Sequence, residues 1–272
     1  RAVNAWVMFV SLPALVFRSI HGVKLDAPML LSCASLWLVF FVPAIVALVL
    51  VRRGGDRGTL GALALCSGLS NTAFVGLPLI EALGGKEALG TAAVVDQLGS
   101  FFALFLFAMP FAAYLAGQKT TGAQWLGKLV KSPALIALVL AVVLRDVVVP
   151  QAGTDVINRL ADMLSPLALA SIGWQLDLSA LPGNGQRIAL GLSWKLVLAP
   201  AMVLGLLLLF RGQFGLTERV VVAQAAMAPM VTAGVVAADH RLAPGLAAAL
   251  IAVGVPLSLV TVPVWWHVMG FL

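Results

Sequence analysis

The sequence predicts an all-α membrane protein that crosses the lipid bilayer many times. Of its 272 residues, 61% are hydrophobic and 10% are charged, whereas a soluble domain carries about 25% charged residues. Its apolar runs are about 20 residues long, which is the length of a spanning helix and about twice that of a barrel strand. A soluble domain is therefore excluded. The net charge of +6 does not indicate nucleic acid as a partner, because the basic residues cluster in the connections.

Charged residues, glycines and prolines divide the apolar sequence into nine predicted spans. Groups of basic residues follow the second and the fourth span, at 52–57 and 119–131. Because cytoplasmic loops carry an excess of lysine and arginine, this face is predicted to be cytoplasmic. The predicted spans are 2–22, 27–51, 58–83, 87–116, 132–150, 156–177, 187–210, 218–239 and 244–271.

Prolines recur at similar positions in successive spans, which predicts an internal repeat. The prolines of the first half are Pro13, Pro43, Pro78 and Pro110, and those of the second half are Pro166, Pro200, Pro229 and Pro263. The two sets are five spans apart, and an odd offset turns the second copy upside down, as in secondary transporters. One proline per span, placed by chance, is the alternative explanation.

The repeat predicts two inverted five-helix units with two broken crossover helices, and nine of the expected ten spans are present. The first repeat is residues 1–117 and lacks its first helix, residues 118–131 form a cytoplasmic connection, and the second repeat is residues 132–272. The span that begins near Pro133 has no counterpart in the first repeat. We therefore expect one more span before Arg1, or a groove where such a helix would pack.

Two stretches combine the apolarity of a span with the residues of a broken helix. In the first, at 67–80, glycines and a proline weaken the helical hydrogen bonds, and polar side chains interrupt the apolar sequence. The second, at 224–234, is its repeat partner. Irregular backbone at membrane depth survives only where protein buries it or where it lines a watery cavity, so the two stretches predict a binding site. The alternative is a kinked helix that packs closely through small residues. The predicted substrate-binding residues are Asn71, Thr72, Gly76, Pro78, Met227, Pro229 and Thr232.

Polar residues within the spans suggest what such a site would bind. Asn71 offers an amide donor beside the positive end of a half-helix, where a carboxylate would bind, unless it only caps its own helix. Asp96 and Gln97 lie deep in the fourth span, where a carboxylate is costly unless it is paired, hydrated or functional. They are the predicted coupling residues for a proton or a cation, with a polar buttress to the broken helix as the alternative. Lys195 is expected to snorkel to an interface, with pairing to a buried acid as the alternative.

The stretch Asn71-Thr72-Ala73-Phe74-Val75-Gly76-Leu77-Pro78 resembles the auxin efflux carrier family, whose bacterial members include malonate and malate carriers and whose fold is related to that of the bile acid sodium symporters. The resemblance covers nearly the whole chain, and further similar stretches are 12–17, 165–173, 195–200, 227–232 and 256–263. It implies ten helices in two inverted repeats, broken helices that cross at mid-membrane, and a transport domain that moves against a scaffold. The chain departs from the family pattern in its missing first helix and at Met227-Ala228-Pro229, where Met-Pro is commoner.

The residues and the resemblance together favour a secondary carrier for a small organic anion. The resemblance alone favours a mono- or dicarboxylate such as malonate or malate as the substrate. A sodium-coupled carrier similar to the bile acid symporters, a passive anion channel and a membrane sensor are the alternatives. The resemblance places such a carrier in the inner (plasma) membrane of a bacterium. A homodimer is one option for its oligomeric state, which the sequence does not decide.

An enzyme is not expected. The sequence contains no nucleotide-binding loop, no Gly-x-Ser-x-Gly, no His-Glu-x-x-His and no adjacent pair of acids. Cys33 and Cys66 lie in apolar runs and the histidines are scattered singly, so neither a disulfide nor a metal site is indicated. No cofactor is therefore predicted, apart from a coupling proton or sodium ion.

Overall fold

The computed structural model describes residues 2–21, 27–118, 127, 130–175, 183–210 and 214–271. Within these ranges the chain forms helices joined by turns and short irregular segments, with one isolated antiparallel bridge, and the all-α prediction is confirmed. The helices are α1 (residues 2–20), α2 (Ala27–Arg52), α3 (Arg57–Gly68), α4 (residues 72–84), α5 (residues 86–115), α6 (Pro133–Val143), α7 (Gln151–Asp162), α8 (Leu164–Gln175), α9 (Gly185–Phe210), α10 (Leu216–Ala225), α11 (Val231–Asp239) and α12 (Pro244–Val268).

In the part of the chain that the structure describes, four helical runs are long and apolar enough to cross a membrane: Met29–Arg52, Thr72–Leu115, Gly185–Phe210 and Pro244–Phe271. The second run is divided into α4 and α5 at Gly85, whose φ of 70° and ψ of −176° are non-helical. Shorter apolar helices occur at Val7–Ile20 and Pro133–Val143. The prediction of a polytopic helical membrane protein is confirmed. The number of spans, the inverted repeat with its division at 118–131, and the absent first helix stay predictions.

The predicted span 132–150 is too long. The helix α6 ends at Val143, and an exposed ion pair between Arg145 and Asp146 follows it. The next helix, α7, begins at Gln151, and Pro150 precedes it in an extended conformation as its N-cap residue. Of the predicted cytoplasmic connection, residues 119–126 and 128–129 lie outside the described residues.

Prolines shape several helices from within. Among the described helices, four π-helical turns each end two residues before a proline: Val7–Ser11 before Pro13, Thr72–Gly76 before Pro78, Leu104–Ala108 before Pro110, and Trp194–Leu198 before Pro200. A proline has no N–H, and its ring presses on the carbonyl group four residues earlier. The wider π turn relieves this contact, and turns of this kind are frequent at functional sites.

Two buried apolar clusters form the core, and the two broken helices pass from one cluster to the other. The first broken helix contributes Leu65 to one cluster before its break and Leu77 to the other cluster after it. The second broken helix passes in the opposite direction, with Val222 before its break and Val236 after it. The breaks therefore lie at the seam between the two clusters, and the candidate site is positioned there.

Candidate functional site

The two broken helices cross as a short antiparallel pair. Ser70 and Pro229 form an isolated β-bridge at the crossing. Two backbone hydrogen bonds hold the pair together: the N–H of Asn71 to the oxygen of Ala228 at 2.8 Å, and the N–H of Met230 to the oxygen of Leu69 at 3.0 Å. These bonds satisfy backbone groups that a break in a helix sets free, which lipid cannot do. The prediction that both stretches are broken and approach each other is confirmed.

The breaks are shorter than predicted. The chain resumes a helix at Thr72, as a π turn, and at Val231. Gly76 and Pro78 therefore lie within α4 and not in irregular backbone, contrary to the prediction. Pro78 is the seventh residue of α4, and the π turn Thr72–Gly76 before it relieves the contact of its ring with the preceding turn. The irregular backbone is confined to residues 69–71 and 226–230.

Two glycines allow other elements to approach the crossing closely. A Cβ atom at Gly254 of α12 would collide with the ring of Pro229, and one at Gly76 of α4 would collide with Oε1 of Gln224. Met227, within the second break, is fully buried. The crossing is thus enclosed by protein and depends on small residues around it, which is typical of helix packing in membranes.

A small cavity of about 70 Å³ adjoins the crossing. Its polar lining residues are Asn71, Asp96 and Thr232. The other lining residues are apolar: Met8, Leu12, Ala73, Phe74, Phe101, Leu104, Phe105, Met230 and Val231. Larger cavities of about 390 and 490 Å³ lie around Arg18, but neither is lined by a residue of the crossing, and Arg18 already pairs with Asp162 at 2.6 Å. The small cavity is therefore the candidate binding site.

Two half-helices begin at this cavity. The helix α4 begins at Thr72 and α11 begins at Val231, and residues of both first turns line the cavity. The N–H groups in the first turn of a helix have no partner within the helix, and this end carries a partial positive charge. Two such ends at one cavity favour a bound anionic group.

Asn71 acts as a helix cap and keeps a free donor. Its Oδ1 accepts a hydrogen bond from the N–H of Phe74 at 3.2 Å, so the capping role considered from the sequence is present. Its Nδ2 is buried and has no hydrogen-bond partner among the described residues, and the residue is 2% exposed. A buried donor without a partner costs free energy. An acceptor bound in the cavity would recover that cost.

Asp96 is buried beside the cavity and is tied to the broken helix. Its Oδ1 accepts a hydrogen bond from the hydroxyl of Thr72 at 2.5 Å, and its Oδ2 accepts one from Nε2 of Gln97 at 2.7 Å. Asp96 and Gln97 both lie in the π turn Val95–Phe101 of α5. Neither of the ion pairs in the described ranges involves Asp96. These contacts fit both a polar buttress and a coupling residue, and both interpretations stay open.

Lys195 does not snorkel, and the expectation from the sequence is wrong. The residue is 0% exposed. Its Nζ donates hydrogen bonds to Oγ of Ser70 and to the carbonyl oxygen of Ala225, both at 2.6 Å. A charged residue within a span indicates a functional role by default, and this indication was present in the sequence. Its partners were not, because they lie on other elements of the chain.

The structure gathers some of the predicted site residues at the cavity and places others in the crossing around it. Those at or next to the cavity are Asn71, Thr72, Asp96, Gln97 and Thr232. Those that build the crossing and its surroundings are Gly76, Pro78, Met227 and Pro229. Their roles in binding and coupling stay predictions. Sequence reasoning placed Ser70 and Gln224 within the two broken stretches but did not count them among the site residues, and it misplaced Lys195.

The fold and the site together define a class of protein. Two broken helices that cross at a buried polar site, within a polytopic helical membrane protein, are an architecture found among membrane transporters. Within that class, the chain belongs to the membrane transport protein family, which matches residues 1–121 and 119–266. The resemblance to the auxin efflux carriers is thereby confirmed.

Two relatives match almost the whole chain. An uncharacterized transporter of Methanothermobacter thermautotrophicus is 26% identical over 269 residues, which are 96% of this chain and 86% of that protein. An uncharacterized transporter of Methanocaldococcus jannaschii is 24% identical over 280 residues, which are 99% of this chain and 89% of that protein. The protein is therefore a multi-pass membrane transporter and not an enzyme.

Proposed function

We propose that the protein is a secondary carrier that moves a small organic anion across the inner (plasma) membrane of a bacterium by alternating access around the crossing. The favoured substrates are mono- and dicarboxylates such as malonate or malate, as the family resemblance suggests. The observation that carries the proposal is that Nδ2 of Asn71 has no partner among the described residues and lies at a cavity where two half-helices begin.

The cavity offers donors for one carboxylate group. Nδ2 of Asn71 and the hydroxyl of Thr232 are the donors that such a group would meet, beside the positively polarised starts of α4 and α11. The apolar remainder of the lining keeps water away, and electrostatic interactions are stronger where water is excluded. A cavity of about 70 Å³ is small for a whole dicarboxylate, so the elements around the crossing must separate on one side when the substrate enters.

Asp96 is the coupling residue in this proposal, and a proton is the simplest coupling ion. An anion beside an ionised Asp96 would meet a like charge in a medium of low dielectric constant. A proton on Asp96 would remove this repulsion, so that anion and proton cross together. Thr72 donates to Asp96 and also begins α4. The protonation state of Asp96 therefore acts directly on the start of the broken helix.

Purified protein in proteoliposomes tests the proposed function. A thermal-shift screen of small carboxylates identifies the substrates that bind, and counterflow of the labelled compound shows whether they are carried. We expect saturable uptake of at least one mono- or dicarboxylate, accelerated by the same compound on the opposite side of the membrane. Flux that does not saturate would indicate a channel, and binding without flux would indicate a sensor. No response to any carboxylate would overturn the proposal.

A further inference from the structure

Lys195 places a potential cation inside the crossing. Its Nζ lies 2.6 Å from Oγ of Ser70 and 2.6 Å from the carbonyl oxygen of Ala225. The hydroxyl of Ser70 itself donates toward the oxygen of Ala225 at 3.5 Å, so its lone pairs are available to accept from Nζ. Both contacts therefore use Nζ as a donor, which suits an ammonium group, since that group only donates. Neither of the salt bridges among the described residues involves Lys195.

The ammonium group meets the negative end of a half-helix. Ala225 is the last residue of α10, where the chain enters the second break, and the carbonyl groups at the C-terminal end of a helix carry a partial negative charge. In secondary transporters with broken helices, such helix ends and unwound carbonyl groups coordinate the sodium ion or proton that drives transport. In this chain, Nζ of Lys195 already contacts such an oxygen, that of Ala225.

Two tryptophans hold the turn that carries the lysine. Nε1 of Trp194 donates to the carbonyl oxygen of Val39 in α2 at 3.3 Å, and Nε1 of Trp265 in α12 donates to the carbonyl oxygen of Leu196 at 2.9 Å. The π turn around Lys195 is therefore anchored to helices on two sides. This anchoring restrains the amine at the crossing.

We propose that Lys195 is a built-in cation that takes the place of a dissociable sodium ion at the crossing, so that the carrier works without sodium. Removal of the side chain would leave the oxygens of Ser70 and Ala225 beside the volume that the chain had filled. That space is a site for a small primary ammonium ion. The statement about transport rests on the proposed function, whereas the cation site can be tested without any substrate.

The test uses the purified full-length Lys195→Ala variant in a sodium-free choline buffer. We expect its unfolding temperature to fall several degrees below that of the wild type, and n-propylammonium to restore most of the difference, because this ion replaces the part of the side chain that was removed. n-Propanol, which has the chain without the charge, and tetramethylammonium, which has the charge without an N–H donor, should not restore it.

Arg219→Ala is the matched control variant. Nε of Arg219 also donates to a backbone carbonyl oxygen, that of Trp266 at 2.9 Å, but Arg219 lies near the start of α10 and not at its end. n-Propylammonium should not stabilise this variant. The proposal of a built-in cation would be overturned if n-propanol restored the unfolding temperature of Lys195→Ala as well as n-propylammonium does, or if n-propylammonium did not restore it.

Two further measurements keep the inference testable if Lys195→Ala does not fold. Lys195→Gln keeps an N–H donor without the charge, and a stability equal to that of the wild type would overturn the inference.

Counterflow by the wild type should proceed at an unchanged rate when choline replaces sodium. A requirement for sodium would overturn the proposal that Lys195 takes the place of a sodium ion, but it would leave the proposed transport of an organic anion standing. If n-propylammonium rescues Lys195→Ala but no carboxylate binds the wild type, the cation site is supported and only the proposed function fails.

Discussion

The N–H of Asn71 donates to the carbonyl oxygen of Ala228 at 2.8 Å, and this bond joins the two halves of the chain where each of them interrupts a helix. The bond holds Asn71 at the start of α4, with its Oδ1 on the N–H of Phe74. Its Nδ2 is left buried and unpartnered within the described structure. Because the backbones of both broken helices set the position of this donor, a movement of either half would shift it.

Asn71→Ser and Asn71→Ala separate substrate binding from helix capping. Serine also caps helices, so Asn71→Ser should keep an unfolding temperature near that of the wild type, whereas Asn71→Ala should lose about 0.5–2 kcal/mol of stability. Both variants lack Nδ2. A lost hydrogen bond to a charged group costs about 1.5–3 kcal/mol, which weakens the Kd by about tenfold or more. Thermal unfolding and equilibrium binding measure the two effects. Unchanged affinity in Asn71→Ser would leave Asn71 with a capping role alone.

Asp96→Asn tests the coupling role. Asparagine keeps the size of the side chain and can still accept from the hydroxyl of Thr72, but it cannot take up a proton. We therefore expect substrate exchange to continue while accumulation driven by a pH gradient is lost. Counterflow and uptake under an imposed pH gradient, both in proteoliposomes, measure these two activities separately.

Glu81→Gln is the matched control for Asp96→Asn. Glu81 accepts a hydrogen bond from the hydroxyl of Ser165 at 2.9 Å, and it does not line the cavity. This variant should keep its accumulation under a pH gradient. If Asp96→Asn still concentrates substrate with the pH dependence of the wild type, Asp96 is a buttress and the coupling residue lies elsewhere.

Gly254→Ala tests how closely the crossing is packed. The new Cβ atom would collide with the ring of Pro229, and overpacking of this kind costs about 1–3 kcal/mol. Gly205→Ala in α9 is the control, because a Cβ atom there would have nothing within 4 Å. We expect Gly254→Ala to lower both the unfolding temperature and the counterflow rate, and Gly205→Ala to leave both unchanged or slightly raised. Equal stability of the two variants would mean that Pro229 is not held in this position.

Asp56 lies outside the membrane-spanning segments, and its helix-capping role predicts that the free energy of unfolding depends on pH. Its Oδ2 accepts a hydrogen bond from the N–H of Thr59 at the start of α3, and hydrogen bonding to Thr59 lowers the pKa of Asp56. The native state therefore binds fewer protons than the unfolded state at low pH. The stabilisation is present above the usual pKa of aspartate, about 3.9, and is lost as the pH falls through the lowered pKa.

Asp56→Ala should therefore cost about 0.5–2 kcal/mol of stability at neutral pH, as for other helix caps. The difference from the wild type should shrink progressively below about pH 4. Thermal unfolding of both proteins over a series of pH values measures it. A difference that grows as the pH falls would contradict the capping account.

Much of the fold could be predicted because the bilayer restricts what a chain can do. Long apolar runs must form helices, and a helix can be broken only where protein satisfies its backbone. Gly68 and the polar residues at 70–72 therefore located the first break. The extent of this break could not be predicted. Pro78 was expected to lie in irregular backbone, but it lies within the helix α4. The π turn Thr72–Gly76 accommodates this proline, and local packing decides whether such a turn forms.

The side-chain contacts of the site could not be predicted. Lys195 lies in the first half of the predicted span 187–210, which suggested snorkelling, but its partners Ser70 and Ala225 lie on other elements. The contact between Asp96 and Thr72 likewise joins two elements, and the sequence offered a polar buttress to the broken helix only as an alternative to the coupling role. Such contacts depend on how helices pack in three dimensions, and apolar packing surfaces in a membrane protein look alike along one sequence.

A cysteine placed in the cavity reports most directly on whether a carboxylate binds at the crossing. Thr232 lines the cavity and is half-buried. Thr232→Cys is made in a chain whose buried Cys33 and Cys66 are replaced by alanine, so that a maleimide reagent reacts with the new thiol alone. Ser165→Cys, which changes a half-buried residue outside the cavity lining, is the control.

The measurement is the rate of maleimide modification of Thr232→Cys with and without a carboxylate that binds the protein. The predicted result is that the carboxylate slows the modification of Thr232→Cys, with a concentration dependence that matches its Kd, and leaves the modification of Ser165→Cys unchanged. If a saturating carboxylate leaves the modification of Thr232→Cys as fast as before, the substrate does not bind in the cavity at the crossing.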